Sequence, residues 1–475
     1  MNGTYQRLVL RKDHDWWSVF EVILTNLTRD LMAGFDSPYN ILSRVGKTPS
    51  RFSSHVRTAG ESFREKRRAY TISHALPLKV FGGKIALGSM NGVPLRLPLE
   101  QGSDIETKIS FVDGKRNRLV YRGFDIEKLA EHSSYEEVAY LLLFNALPTK
   151  TQLSEFAKRM ATNRRIPAGL VTLIGSLPHS APPMDVLRTA ISAMAVFDPK
   201  VKEHSEEALL DIAIEMIAQV PTIITTHNYV RNGRLPIEPD KKLGHAANFL
   251  YMLKGTDPDQ ETARALDICW VLHADHGLNA STFAARVTAS AQSDIYAALT
   301  TAVGTLKGTI HGGANQAVME TLLKIKDERN VDDYVKDALN NSKKIPGFGH
   351  RIYKGDDPRV AFLRRLSEEM CRKTNNLHWF ELSLKLQEAV FREKELHPNM
   401  DFFAATLYYA LGVPVDMFTT MFACSRMAGW TAQVIEQYKL SRLIRPSGQY
   451  TGRLNRKYIP IEMREHTANT IPKSH

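Results

Sequence analysis

The chain has 475 residues, of which 43% are hydrophobic and 24% are charged, the composition of an ordinary globular protein with a large core. Its three cysteines, Cys269, Cys371 and Cys424, lie far apart and form no CxxC pattern, which argues against a disulfide scaffold and a structural zinc site. The apolar stretch LYYALGVPVDMFTTMFACSRMAGW is interrupted by Asp416 and Arg426, which argues against a membrane span. We expect a soluble protein from a reducing compartment.

The net charge of +11 is concentrated near the N-terminus. Residues 1–90 contain roughly 14 Lys and Arg against 7 Asp and Glu, so about +7 of the total lies there. The stretch RVGKTPSRFSSHVRTAGESFREKRRAY has no amphipathic period, which predicts a disordered arm. A targeting peptide is the alternative, although several acidic residues near the start argue against a simple transit peptide. We therefore interpret residues 1–90 as a basic extension, disordered or targeting, and expect no nucleic-acid partner.

A short β-structure precedes a helical body. The stretch TKISFVDGKRNRLVYRG contains two β-like runs around Asp113-Gly114, which predicts a hairpin with a turn longer than two residues. Strand and helix patterns do not alternate after it, which argues against a parallel βαβ sheet. The body is expected to be mainly α-helical, with more than one helical layer or domain.

Three segments carry particular helix signals. Ser133 and Glu136 have the spacing of a capping box in front of VAYLLLFNAL. In QAVMETLLKIKD, the residues Val318, Leu322 and Ile325 recur on one face of a helix. The segment STFAARVTASAQSDIYAALTTAV is rich in alanine and has no internal proline, which favours a helix.

Four further segments contain ionisable side chains where glycine or a turn interrupts the helices. They are VLHADHGLNAST at 271–282, LKGTIHGGANQAV at 306–318, PGFGHRIYKGDDPR at 346–359 and HPNMDFFAA at 397–405. Glycine lets a substrate approach closely, and a helix that begins after Gly312-Gly313 points free N–H groups at an anion. A single histidine of this kind is more often a cap or a core residue, but four such segments together favour chemistry.

The residue types in these segments suit one kind of reaction. Removal of a proton from carbon next to a carbonyl group needs a carboxylate base and neutral donors to the enolate oxygen. Arginine binds carboxylates as a bidentate fork. A metal hydrolase that uses His273 and His276 is an alternative, although the chain has no HExxH motif and Gly277 follows His276. A basic binding protein whose N-terminal arm contacts nucleic acid is another.

The motifs HADHG, KGTIHGGANQAV, PGFGHRIYKGDDPR, PNMDF, SRMAGWTAQVIEQ and RLIRPSGQY, in this order, resemble the citrate synthase family, which includes the 2-methylcitrate synthases. The similarity runs from about residue 112 to residue 450. It implies an all-α, two-domain helical fold with a small N-terminal hairpin, in a homodimer. It also implies condensation of acetyl-CoA with oxaloacetate and water to give citrate and CoA. A 2-methylcitrate synthase that uses propionyl-CoA is the alternative within the family.

The same resemblance assigns the catalytic residues His311, His350 and Asp401. Asp401 of PNMDF would take a proton from the acetyl methyl group, and His311 would hydrogen-bond the thioester oxygen. His350 would polarise the ketone of oxaloacetate. The resemblance implies no metal and no permanently bound cofactor, since acetyl-CoA is a co-substrate.

Substrate-binding residues are implied in the same way. The carboxylates of oxaloacetate would be held by His276, Arg359, Arg426 and Arg445, the last contributed by the partner subunit. Coenzyme A contacts are expected in the glycine-rich loop before His350 and at a nearby lysine, namely at Ile345, Gly347, Gly349 and Lys354. Many relatives have an acidic residue where this chain has Gly277, which leaves the orientation of His276 and the acyl-CoA preference open.

The expected domains are 91–310 and 418–465 for a large helical domain, 311–417 for a small one, and 466–475 for a tail. The small domain would close over the substrates, with glycines such as Gly312 and Gly349 near the hinges. We expect a cytoplasmic protein, or one of the mitochondrial matrix if the extension is a transit peptide.

Overall fold

The computed structural model describes residues 105–464 and, at its N-terminal side, the backbone of two short strands. The chain divides into two compact units, residues 1–98 and 99–475. In the first unit, β1 (Val80–Phe81) pairs antiparallel with β2 (Lys84–Ile85). The rest of the predicted basic extension and the predicted tail lie outside the described residues.

A small antiparallel sheet opens the described part of the second unit. Its strands, in spatial order, are β3 (Ser110–Asp113), β4 (Arg118–Tyr121) and β5 (Phe124–Asp125). Ser110 lies opposite Tyr121, and Asp113 lies opposite Arg118. The Asp113 carboxylate accepts the N–H of Lys115 at 2.9 Å and so stabilises the turn. The predicted hairpin, with its turn of more than two residues, is confirmed.

The remainder of the described chain is mainly helical. Its α-helices, in chain order, are α1 (Ile126–His132), α2 (Tyr135–Phe144), α3 (Lys150–Thr162), α4 (Ala168–Ser176), α5 (Pro183–Phe197), α6 (Glu206–Arg231), α7 (His245–Lys254), α8 (Gln260–His273), α9 (Ala280–Ser290), α10 (Ile295–Leu306), α11 (Ala314–Ile325), α12 (Val331–Asn340), α13 (Val360–Lys373), α14 (Leu377–Lys394), α15 (Met400–Ala410) and α16 (Phe418–Leu440). The predicted all-α class is therefore confirmed.

Helix α2 begins one residue later than the predicted capping box requires. Its N-cap is Ser134, whose hydroxyl accepts the N–H of Glu137 at 3.2 Å. Glu136 instead accepts the N–H of His245 at 2.7 Å and so caps the start of α7. The predicted box between Ser133 and Glu136 is wrong, because a tertiary contact uses the Glu136 carboxylate.

The alanine-rich segment 281–303 is helical, but it forms two helices. Between α9 and α10, Gln292 has a φ of 60°, a left-handed conformation that ends a helix. Asp294 then caps α10 by accepting the N–H of Ala297 at 2.9 Å. A left-handed residue and an aspartate cap thus break the helix without proline.

Two long helices form the centre of the core. Helix α16 packs against α6, α8, α9 and α10, and every residue from 418 to 435 is buried. Helix α6 is the one helix among the described residues that is long and apolar enough to cross a membrane, and 83% of its most apolar window is buried inside the fold. By length and hydropathy, α6 and not the stretch 407–430 is thus the candidate for a membrane span. Its burial is that of a core helix.

Helices α11 to α15 pack on one another beside this core. Helix α15 contacts α11, α13 and α14, and α14 also contacts α12 and α13. On α11, Val318, Leu322 and Ile325 are buried, which confirms the predicted apolar face. The first turn of α15 and the loops that lead into α11 and α13 contain the three candidate catalytic residues.

Replacement of Ser134 by Ala should lower the free energy of unfolding by about 1 kcal/mol, because the N–H of Glu137 loses its capping acceptor. The matched control is Ser133→Ala, which removes the neighbouring hydroxyl and leaves the cap intact. Urea titration of both variants measures the difference. Equal losses in the two variants would contradict the assignment of Ser134 as the N-cap.

Candidate active site

Most of the predicted site residues lie at the ends of helices. His276 follows α8, His311 lies between α10 and α11, and His350 lies between α12 and α13. Arg359 is the N-cap of α13, and Asp401 is the second residue of α15. Helix ends leave backbone groups free to hold side chains and ligands, which suits a site assembled from several helices.

A short pairing of two loops connects two of the predicted catalytic residues. Residues 347–349 pair antiparallel with residues 397–399 through two backbone hydrogen bonds of 2.8 and 2.9 Å. The side-chain amide of Asn399 donates to the last carbonyl of 347–349 at 3.0 Å, and its oxygen accepts the N–H of Asp401 at 3.1 Å. Because His350 directly follows the first segment, the pairing fixes His350 relative to Asp401.

The same pairing occupies part of the loop predicted to bind coenzyme A. Gly347 has a φ of 83°, and a Cβ there would lie 2.6 Å from Val318, so the packing itself requires glycine. The N–H of Gly349 is donated within the loop pairing. Ile345 is partly buried against the core, and Lys354 is exposed. Coenzyme A binding by these residues stays a prediction, in which Lys354 supplies the exposed charge.

Backbone donors determine which nitrogen of His350 carries the proton. The N–H groups of Ile352 and Tyr353 both point at Nδ1 at 3.1 Å, so Nδ1 is an acceptor and the proton lies on Nε2. Burial, with the charge of Arg359, lowers the pKa of His350 to about 4. At neutral pH the ring is therefore an uncharged donor through Nε2.

His311 has the opposite tautomer. The backbone N–H of Ser281 donates to Nε2 of His311 at 3.2 Å, which leaves the proton on Nδ1. The Ser281 hydroxyl lies 2.9 Å from the same nitrogen and accepts the indole N–H of Trp430 at 3.2 Å. Burial, followed by the charges of Arg426 and Arg351, lowers the pKa of His311 to about 4. The ring is a neutral donor through Nδ1.

Asp401 has the properties of a general base. Burial raises the pKa of Asp401 to about 7, although Arg359 and Arg426 oppose the shift. Its Oδ1 is buried and has no hydrogen-bond partner among the described residues. A carboxyl group whose pKa lies near the working pH can accept a proton efficiently. The charge of Arg426 lowers the pKa of both Asp401 and His311, so both residues lie near the same guanidinium group.

Two buried guanidinium groups adjoin these residues. Arg359 pairs with Asp357 through contacts of 2.8 and 2.6 Å, and this attraction outweighs burial and raises the pKa of Arg359. Arg426 donates Nε to the carbonyl oxygen of His273 at 2.6 Å and lies 4.6 Å from the ring centre of Phe422. Buried cations that keep part of their donor capacity suit a ligand with more than one carboxylate.

His276 is buried beside both arginines. Burial and then the two guanidinium charges hold the pKa of His276 well below its usual value. Its Nε2 lies 3.1 Å from the hydroxyl of Tyr353, which orients the ring. Gly277 has a φ of 58°, and its N–H donates to the Ser110 hydroxyl at 2.8 Å. The left-handed backbone explains a glycine at this position.

Arg445 is not brought to the site by its own chain. It is exposed in the irregular segment after α16 and has no hydrogen bond or ion pair with the described residues. The N–H of Ile444 donates to the Ser290 hydroxyl at 3.0 Å, which anchors the segment one residue earlier. The role of Arg445 stays a prediction that requires a second subunit.

The described residues contain no set of metal ligands that would support the metal-hydrolase alternative. In residues 105–464, no group of three or more His, Cys, Asp or Glu side chains is arranged to hold a metal ion. His273 is buried, and its Nδ1 donates to the carbonyl oxygen of Cys269 at 2.7 Å. Burial, with the charge of Arg359, lowers the pKa of His273 to about 3.

Sequence reasoning missed the residues that hold the catalytic groups in position, namely Ser110, Ser281, Tyr353, Asp357 and Asn399. Two of them had a usable signal. Asn399 directly precedes a helix, as a cap does, and Asp357 lies two residues before an arginine with which it can pair. Ser110, Ser281 and Tyr353 had none, because their partners are distant in sequence.

Together these groups define a class of enzyme. One carboxylate with a raised pKa can accept a proton, two neutral imidazoles can donate hydrogen bonds to carbonyl oxygens, and two guanidinium groups can bind carboxylates. This is the equipment of an enzyme that forms an enol next to a carbonyl group and joins it to an anionic electrophile.

Comparison with known proteins agrees with this class. Residues 99–447 match the family described as citrate synthase, C-terminal domain. The citrate synthase of Haloferax volcanii is 44% identical over 365 residues, which cover 76% of this chain and 96% of that protein. The 2-methylcitrate synthase 1 of Corynebacterium glutamicum is 42% identical over 363 residues, 75% of this chain and 95% of that protein.

A solved structure extends the comparison to the fold. The citrate synthase of Thermoplasma acidophilum, solved as a ternary complex with carboxymethyl coenzyme A and oxaloacetate, is 32% identical with a TM-score of 0.72. The match covers 77% of this chain and 98% of that one. The chain therefore belongs to the citrate synthase family, and it is an acyltransferase of the citrate synthase type.

The raised pKa of Asp401 predicts that Asp401→Asn stabilises the protein more at pH 8 than at pH 5. The ionised carboxylate is disfavoured in the folded site, so stability falls as pH rises from the unfolded pKa of about 3.9 through the folded value of about 7. Thermal unfolding at both pH values checks this. Asp333→Asn removes a charge from an exposed position and serves as the control; an equal gain at both pH values would contradict the assignment.

Proposed function

We propose that the protein condenses acetyl-CoA with oxaloacetate and water to give citrate and CoA. The observation that carries the proposal is the carboxyl group of Asp401, whose Oδ1 is buried and whose pKa is raised to about 7. The guanidinium of Arg426 influences the pKa of both Asp401 and the neutral His311. The citrate synthase names among the relatives support acetyl-CoA as the thioester. A 2-methylcitrate synthase is the less favoured candidate, which relatives of 42% and 40% identity represent.

The first step we propose is enol formation. Asp401 takes a proton from the methyl carbon of acetyl-CoA, and the electron pair moves to the thioester oxygen. His311 donates a hydrogen bond to this oxygen from Nδ1, the nitrogen that carries its proton. A base and a donor acting together avoid a free enolate, and each typically contributes about 10²- to 10⁴-fold.

Carbon–carbon bond formation follows. The enol carbon attacks the ketone carbon of oxaloacetate, and the ketone electron pair becomes an alkoxide that His350 stabilises from Nε2–H. Proton transfer to this oxygen gives the hydroxyl of citryl-CoA. Water then attacks the thioester carbonyl, the carbon–sulfur bond breaks, and CoA leaves as the thiol.

Oxaloacetate is held by cationic and neutral donors. Arg426 uses Nε for a backbone carbonyl, which leaves its two terminal nitrogens for a carboxylate. Arg359 uses Nε and one terminal nitrogen for Asp357, which leaves the other. His276 is close enough to both guanidinium groups for their charges to lower its pKa. In a homodimer the partner subunit's Arg445 completes the set, which accounts for an arginine that is exposed in one chain.

The helices α11 to α15 are proposed as the small domain, approximately residues 311–417, that closes on the rest. The chain enters this domain near residue 312 and leaves it near residue 418, and hydrogen bonds join these two segments, which supports a hinge at this place. The Asn315 side chain donates to the carbonyl oxygen of Phe418 at 3.3 Å, and Thr419 donates to that of Gly312 at 3.4 Å. Closure would bring Lys354 towards the phosphates of coenzyme A.

The purified protein should release free CoA thiol only when an acyl-CoA and oxaloacetate are both present. A thiol-reactive dye follows the release, and kcat/KM for acetyl-CoA should exceed that for propionyl-CoA. Because Asp401 must be ionised, kcat/KM should fall about tenfold per pH unit below pH 7.

Asp401→Asn should lower kcat by about 10³-fold without unfolding the protein. Thiol release without oxaloacetate would indicate a simple thioesterase and contradict the proposal. A preference for propionyl-CoA would favour the 2-methylcitrate synthase instead.

Co-production of two inactive chains tests the role of Arg445. In a heterodimer of an Asp401→Asn chain with an Arg445→Gln chain, an arginine that crosses the interface leaves one site fully native. Random pairing should then restore about a quarter of the wild-type activity. An arginine that acts within its own chain leaves every site with a defect, so the absence of recovery would rule out the crossing.

A further inference from the structure

Three aromatic rings meet where oxaloacetate is proposed to bind. The rings of His276 and His350 lie 5.2 Å apart at 77°. Tyr353 adjoins both: its ring stacks on His350 at 4.5 Å and 25°, and it meets His276 edge-on at 5.6 Å and 79°. No other described aromatic side chain contacts both histidines in this way, so Tyr353 is the side chain that joins them.

The hydroxyl of Tyr353 has a defined partner, the ring of His276. Tyr353 is 2% exposed, and burial raises the pKa of its phenol, so it stays protonated. The hydroxyl lies 3.1 Å from Nε2 of His276, a ring that is neutral because its pKa is held low. A phenol and a neutral imidazole nitrogen at this distance share one hydrogen bond, whose donor is set by the tautomer of His276. His276 has no other hydrogen-bonded side chain in the described structure.

The β3–β4 hairpin supports both sides of this contact. A Cβ at Gly114, in its turn, would overlap the carbonyl oxygen of Ile352, so the hairpin packs closely on the loop of Tyr353. Ser110, on β3, contacts the carboxylate of Asp275 and accepts the N–H of Gly277, which holds the backbone around His276. The loop of Tyr353 and the backbone around His276 therefore both pack against the β3–β4 hairpin.

We infer that Tyr353 is a positioning residue that joins the two oxaloacetate histidines into one unit. Its hydroxyl orients His276, and its ring restrains His350 with Nε2 directed at the ketone. This inference rests on the proposed function and deepens it, because it assigns a substrate-specific role to a residue outside the catalytic set. The hydroxyl of Tyr353 then affects the binding of oxaloacetate, whereas its ring affects kcat.

Tyr353→Phe deletes the hydroxyl and retains the ring stack. The KM for oxaloacetate and its dissociation constant measured by calorimetry should both rise about tenfold, the value of one hydrogen bond. The KM for acetyl-CoA and kcat should stay within about twofold of wild type. A residue with a purely structural role would not separate the two substrates in this way.

Tyr353→Leu deletes the stack as well. It should raise the oxaloacetate KM as the Phe variant does and in addition lower kcat by about tenfold or more, because His350 loses its restraint. The matched control is Tyr296→Phe, which removes another tyrosine hydroxyl. That hydroxyl donates to the Asp198 carboxylate at 2.9 Å and is not part of the proposed site. The control should lower the melting temperature and leave both KM values unchanged.

The outcomes are distinct from those that test the proposed function. A wild-type protein that fails to condense the substrates refutes the function, whereas the Phe variant tests Tyr353 in a protein that works. An unchanged oxaloacetate constant in Tyr353→Phe would overturn the inference. So would tighter binding, since the hydroxyl would then compete with the substrate for His276, and so would equal rises in both KM values.

Discussion

The two hydrogen bonds between residues 347–349 and residues 397–399 are the constraint on which the site depends. They join two loops that are about fifty residues apart in sequence and that each lead directly into a candidate catalytic residue, His350 on one side and Asp401 on the other. Backbone pairing leaves little freedom, since both partners are parts of ordered loops with buried neighbours. The left-handed glycine and the close approach to Val318 are the local cost of bringing the loops together.

Burial then determines the chemistry of the groups that the loops bring together. Removing water disfavours charge on each group, so the imidazoles of His311 and His350 stay neutral and the carboxyl of Asp401 has a raised pKa. The guanidinium of Arg359 pairs with the Asp357 carboxylate, and the charge of Asp275 opposes the effect of burial on Arg426. Backbone N–H groups then select opposite tautomers for the two histidines. The result is one base, two neutral donors and two cations, arranged before any substrate arrives.

Local sequence signals predicted the elements of this fold well and their boundaries less well. The hairpin, the apolar face of α11 and the all-α class followed from period, turn residues and motif order. The N-cap of α2 was misread by one residue, because Glu136 serves as the acceptor for the start of α7 instead. The break between α9 and α10 depended on a left-handed Gln292, which composition did not indicate. The glycines before His350 were interpreted as ligand contacts, although packing and loop pairing already account for them.

The motif order by itself determined the family and the class of reaction, and it predicted the candidate catalytic residues, because the chemistry requires particular functional groups in glycine-interrupted segments. Only the tertiary structure decided how those groups are oriented. The tautomers of His311 and His350, the pairing of Arg359 with Asp357, and the contact of Tyr353 with His276 all arise between atoms that chain folding brings together. A residue type states which atoms are available, whereas the proton position and the pKa depend on the donors and the burial around them.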